Sequence, residues 1–139
     1  MILLDTNVVS EPLKPQPDAT VLRWLDAQNV EALYLPAIGL SELMFGVATL
    51  PDGRRKRELE TQLDQRVLTV FKGRVLPFDA AAASAHAELR ARGRRLGRGI
   101  SIVDGYIAAI AMAHGLTVAT RDTSPFVAAG LPVIDPWSA

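Results

Sequence analysis

Cysteine is missing from all 139 residues, which excludes a disulfide framework, a thiolate zinc site and a cysteine nucleophile, and fits a reducing compartment. Histidine is scarce. His86 and His114 fall on separate predicted helices, and His114 before Gly115 suits a helix C-terminus, so neither offers an obvious general base or zinc ligand. Charge of one sign is not in excess either, because 15 basic residues balance 15 acidic ones, and net charge alone makes no case for a polyanionic partner. No uncharged apolar stretch reaches the roughly 20 residues that a membrane span needs. Asp5 also cuts off the apolar start Met1 to Leu4 before a signal-peptide core can form. The expectation is a cytoplasmic protein without a membrane partner. A nucleotide P-loop, a GxGxxG turn after a strand, internal repeats and long linkers are all lacking.

What is present suffices for one core: 49% of residues are hydrophobic, and the length falls within the roughly 100 to 200 residues of one domain. Residues 1–139 are expected to form a single domain. Apolar residues 2 to 4 and 8 to 9 flank Asp5, Thr6 and Asn7, predicting a buried strand that runs into a polar turn. Pro12, Pro15 and Pro17 hold an irregular connection. Asp18 then caps a helix carrying Val21, Leu22 and Leu25 on one face, and residues 33 to 35 give a second strand. Helical spacing of Leu40, Leu43, Met44 and Val47 predicts a helix over about 38–50, with Glu42 in or near its first turn. Residues 53 to 71 predict another, striped by Leu59, Leu63 and Val67 and starting with a basic run. A third strand is expected at 75–78, followed by a helix capped by Asp79 that reaches about Arg92, where Gly93, Gly97 and Gly99 break it. Ser101 and Asp104 have capping-box spacing before an uncharged helix stopped by Gly115. Residues 117 to 119, a short helix from Ser124-Pro125 to Gly130, and Val133-Ile134 complete the chain. Strands alternating with helices imply right-handed crossovers and a mostly parallel sheet of about five strands covered on both faces.

In such sheets the ligand site lies outside the carboxyl ends of the strands. Four acids have that placement: Asp5 after the first strand, Glu42 and Asp104 early in helices, and Asp122 after the fourth strand. Packed carboxylates raise one another's pKa and cannot all stay ionised without a cation. A divalent metal resolves the conflict, and magnesium suits oxygen ligands and phosphate chemistry, activating a water for in-line attack. Thr6, Asn7, Ser41 and Thr120 sit beside the acids, placed to orient carboxylates or waters. Each acid has a plainer alternative: Asp5 as a turn residue, Asp104 as the capping partner of Ser101, Glu42 as a complement to the helix dipole, Asp122 as loop polarity. The joint pattern favours a site, since one crossover architecture sends all four to the same end.

At these residues the chain resembles the PIN-domain family, specifically VapC-type toxins of bacterial toxin–antitoxin pairs. The resemblance spans nearly the whole chain. It is carried by Ile2-Leu3-Leu4-Asp5-Thr6-Asn7, by Ser41-Glu42-Leu43 within an apolar helix, by Asp104-Gly105-Tyr106-Ile107-Ala108-Ala109, and by Thr120-Arg121-Asp122 with Phe126 following. The opening residues 1 to 17 and the ending Ile134-Asp135-Pro136-Trp137 further resemble the FitB-like branch. The resemblance implies a three-layer α/β/α sandwich, Mg(II) or Mn(II) at Asp5, Glu42, Asp104 and Asp122, and endoribonuclease activity. It also implies homodimers within a higher toxin–antitoxin assembly, and an antitoxin with a DNA-binding domain through which alone DNA is contacted.

Nine of the fifteen cations lie in two runs, Arg54 to Arg57 and Arg90 to Arg98. Arg94, Arg95 and Arg98, with Arg121 beside a proposed ligand, are candidate RNA contacts, while the first run reads more simply as a solvated face. Two rivals remain. A haloacid-dehalogenase-type phosphohydrolase would need an acid where Asn7 stands, and a non-catalytic RNA- or antitoxin-binding module would have no need of four unneutralised carboxylates.

Overall fold

Short apolar strands alternate with helices along the computed structural model, which describes residues 1–139. The strands are β1 (Ile2–Leu4), β2 (Leu33–Pro36), β3 (Val75–Leu76), β4 (Thr117–Ala119) and β5 (Val133–Ile134). The helices are α1 (Thr6–Ser10), α2 (Ala19–Asp26), α3 (Ala37–Ala48), α4 (Arg54–Leu63), α5 (Ala80–Arg95), α6 (Ile102–His114) and α7 (Ser124–Ala128). All strand pairs are parallel, in the order β3-β2-β1-β4-β5, with Leu3 opposite Tyr34 on one side and Val118 on the other. From β1 the chain builds outward to β2 and β3, then returns to β1's other edge with β4 and β5. The strand order therefore reverses between β1 and β4, and a crevice at the carboxyl ends is the usual ligand site of such a sheet.

Because successive strand residues face opposite ways, Leu3 and Leu4 enter different cores. Leu3 packs with Ala82, Leu89, Ile107, Ile110, Val118 and Phe126, under α5, α6 and α7. Leu4 packs with Val8, Leu35, Leu43, Val47 and Leu63, under α1, α3 and α4. The result is the expected three-layer α/β/α sandwich on a fully parallel sheet, buried on both faces as its near-continuous apolar strands require. No helix is long and apolar enough to cross a membrane.

Several elements depart from the sequence expectation. The polar turn after β1 is a helix instead: Asp5 accepts a hydrogen bond from the Thr6 N–H at 2.8 Å and caps α1 directly. The helix expected over 53–71 runs as α4 and then widens into a π-helical segment, Asp64–Leu68, which keeps Val67 in the core. β3 stops at Leu76, two residues short of the expected end. Helix α5 passes through Gly93 and ends three residues later than expected, with Gly97 taking the left-handed conformation at φ 66°. Glu42 is the sixth residue of α3, past its first turn, so the dipole explanation for its presence loses force.

Candidate metal centre

Asp5 stands where β1 ends, and parallel pairing with β4 ties it down: its N–H donates to the Ala119 carbonyl at 2.9 Å. One carboxylate oxygen caps α1. The other accepts the Thr120 hydroxyl at 2.8 Å, from a side chain that is wholly buried. Burial pushes the Asp5 carboxyl above its ordinary value of 3.8; hydrogen bonds from Thr120 and Thr6 oppose this, and the like charges of Asp104 and Glu42 add to it. Thr6, bonded to both, joins Asp5 to Glu42, and Asp104 adds its charge to theirs from the start of α6.

Glu42 reaches the cluster from α3. Its carboxylate accepts the Thr6 hydroxyl at 3.1 Å. Close approach of α1 and α3 permits this contact, and Gly39 permits the approach: a Cβ there would lie 3.0 Å from the Thr6 hydroxyl oxygen and 3.1 Å from Pro36. Asp104 lies in the first turn of α6, where its N–H donates to the Ser101 hydroxyl at 3.3 Å. The reciprocal half of a capping box is not made, so the Asp104 carboxylate is uncommitted to the cap.

The remaining candidates divide. Thr6 and Thr120 each hold a carboxylate. Asn7 has a buried Oδ1 without a hydrogen-bond partner, an orphan acceptor two residues from Asp5 that a water or cation would satisfy. Ser41 is exposed, and its hydroxyl contacts none of the acids. Asp122 lies on an exposed segment after β4, forms no ion pair, and is not among the charges acting on Asp5.

The donor set is all oxygen, which fits a hard divalent cation. No three acidic or histidine side chains close around a single point. Magnesium, which keeps several of its waters, needs only one or two direct carboxylates. The sequence did not reveal the neighbour of Arg121: its guanidinium lies 5.1 Å over the Trp137 ring. Asp135 holds the backbone at that residue by accepting from the Trp137 main-chain N–H at 2.9 Å. An Asp followed two residues later by an aromatic, the signature of an Asx turn, was the available signal.

The shift at Asp5 has a consequence for stability. Between its ordinary value and its raised one, the folded protein binds more protons than the unfolded chain. Stability of the metal-free protein therefore falls as pH rises through that window. Urea midpoints measured in chelator from about pH 4 upward should decline in the wild type relative to Asp5→Asn; parallel profiles would contradict it.

A PIN-domain family model matches residues 2–130, and the chain belongs to that family. Along its length it is 54% identical to the VapC ribonuclease Y4jK of Sinorhizobium fredii, over 99% of this chain and 98% of the relative. It is 51% identical to toxin FitB of Neisseria gonorrhoeae, over 99% of each. Among solved structures, FitAB bound to an IR36 DNA fragment superposes with a TM-score of 0.94 at 49% identity, covering 99% of this chain and 96% of the other. The VapC-type, FitB-like resemblance carried by the motifs thus holds.

Proposed function

We propose that this protein is a magnesium- or manganese-dependent endoribonuclease acting as the toxin of a toxin–antitoxin pair. The observation that carries the reading is Asp5 at the end of β1, beside the β1/β4 switch point, held by Thr120 and joined through Thr6 to Glu42, with Asp104 in the first turn of α6. The names of its relatives, a ribonuclease and a toxin, support it. Asp5, Glu42 and Asp104 would hold the ion, with Asp122 swinging in from its exposed segment. Bound there, the ion would supply charge neutralisation for the carboxylates, activation of a water and stabilisation of a phosphodiester's leaving oxygen. The chain's own residues do the rest. Thr120 and Thr6 hold the carboxylates of Asp5 and Glu42, leaving one Glu42 oxygen free, and Asp104 would reach the ion from the first turn of the largely buried α6. Arg121, whose guanidinium lies over the Trp137 ring, would meet a substrate phosphate.

The partner is an antitoxin with a DNA-binding domain, and DNA is reached only through it. The FitAB complex on DNA supports this; a homodimer within a larger assembly, in the cytoplasm, completes the proposal. The test is cleavage of RNA by protein stripped with chelator. No activity is expected until Mg(II) or Mn(II) is restored, and full activity in chelator would refute the reading. Expression without a partner should arrest growth, an effect lost in Asp104→Asn; harmless expression of active enzyme would argue against a toxin.

A further inference from the structure

The two basic runs look alike in sequence, but the fold treats them differently. In the first, Arg54 pairs with Glu58 at 2.9 Å, Lys56 binds the Ala48 carbonyl and Asp52, and Arg55 reaches the Leu13 carbonyl at 3.1 Å. These cations hold α4 in place. In the second, Arg90, Arg92, Arg94, Arg95 and Arg98 make no ion pair and no side-chain hydrogen bond within the chain. All but Arg92, which lies toward Gly130, surround the corner between α5 and α6.

That corner is rigidly built. The Arg98 N–H donates to the Gly93 carbonyl at 2.7 Å and the Gly97 N–H to that of Arg94 at 3.3 Å, a Schellman closure with Gly97 left-handed. The two strands of the turn touch so closely that a Cβ on Gly93 would come 2.5 Å from the Arg98 carbonyl oxygen. Since backbone N–H groups already satisfy these helix-end carbonyls, the arginines are not needed to cap them. Favourable interaction with the helix dipole accounts for Arg92, Arg94 and Arg95 in the last turn, but not for Arg90 before it or Arg98 after it. A groove of about 730 Å³ opens at the corner, lined by Arg90, Arg94, Arg95 and Arg98 and by no acid. Asp104 follows Arg98 by six residues, an extended reach of at most roughly 20 Å.

We infer that this corner is a preformed phosphate-binding exosite for single-stranded RNA, gripping the strand beside the carboxylates rather than at them. The inference rests on the ribonuclease reading for the choice of RNA. Its arginines act on the backbone, so the grip is independent of base sequence and needs no metal.

The test is binding of a fluorescent single-stranded RNA in chelator across a salt series, where cleavage plays no part. Each phosphate contact contributes about 0.7 to the slope of log affinity against log salt on a single strand. Replacing Arg94, Arg95 and Arg98 by Gln should reduce the slope by about 2, while replacing all three by Lys should restore most of it. A control that removes equal charge elsewhere, Arg57→Gln with Arg66→Gln and Lys72→Gln, should leave it unchanged. Gly93→Ala, which forces the corner open without altering charge, should weaken binding. In metal-supported turnover the arginine loss should appear in KM rather than kcat. A wild-type slope in the glutamine variant, an equal fall in the control, or a fall seen with duplex DNA but not RNA would overturn the exosite. A protein that binds RNA in this way yet never cleaves it would keep the exosite and remove the nuclease.

Discussion

Asp104→Asn and Asp5→Asn are each expected to lower metal-supported RNA cleavage by roughly a thousandfold or more, about 4 kcal/mol of barrier, while leaving the protein folded. The loss follows from removing a charged oxygen at the place where a divalent ion must be held. Survival of the fold follows from what each carboxylate does in the structure. At Asp5 an asparagine remains a good N-cap, so the Thr6 N–H keeps an acceptor, and the Thr120 hydroxyl can turn to accept from the new amide. At Asp104 the cap uses the backbone N–H and the Ser101 hydroxyl, neither of which is altered. Removing charge from Asp5 also relieves its repulsion with Glu42 and Asp104, so thermal stability without metal should hold or rise. Rates with Mn(II) and melting curves in chelator check the two halves. A variant that cleaves normally would remove its residue from the centre, and one that unfolds would show a structural role instead.

Phe126→Ala is expected to produce the largest loss of stability, about 3–5 kcal/mol. Phe126 is fully buried in the core beneath α5, α6 and α7, packed among Ile107, Ile110 and Val118. It sits on α7, only five residues long and too short to hold itself together without tertiary packing. Its backbone also receives the Leu131 N–H at 3.1 Å on the way into β5. Truncation therefore opens a cavity and loosens the path to the last strand. Against a total stability of roughly 5–15 kcal/mol, the melting temperature should drop by about 10–20 °C, as calorimetry would measure. A drop of only about a degree would mean that α7 is not part of the cooperative core.

The layer order was legible because it rests on strong local signals. Short apolar runs bounded by polar residues placed the strands, and parallel crossovers put Asp5 at the rim where it meets Thr120 and, through Thr6, Glu42. What escaped the sequence depended on contacts between distant residues. Whether Asp5 opened a turn or capped a helix was decided by the docking of α1 on α3 through Gly39. The π-helical widening at Asp64–Leu68 left no mark on the stripe of Leu59, Leu63 and Val67, because Leu63 and Val67 share one core with or without it. The two basic runs could not be ranked until the structure showed one tied to carbonyls and acids and the other untied. Ser41 lay beside the right neighbour in sequence, yet adjacency does not fix which way a side chain faces, and its hydroxyl bonds none of the acids, whereas Glu42, just as exposed, meets Thr6.

The centre itself is tested most directly by anomalous scattering from crystals of the protein soaked in Mn(II). A manganese peak within direct-ligand distance of Asp5 or Asp104, lying between those residues and Glu42, is the predicted result. A peak elsewhere, or none at a concentration that supports cleavage, would contradict the metal centre at the β1/β4 switch point.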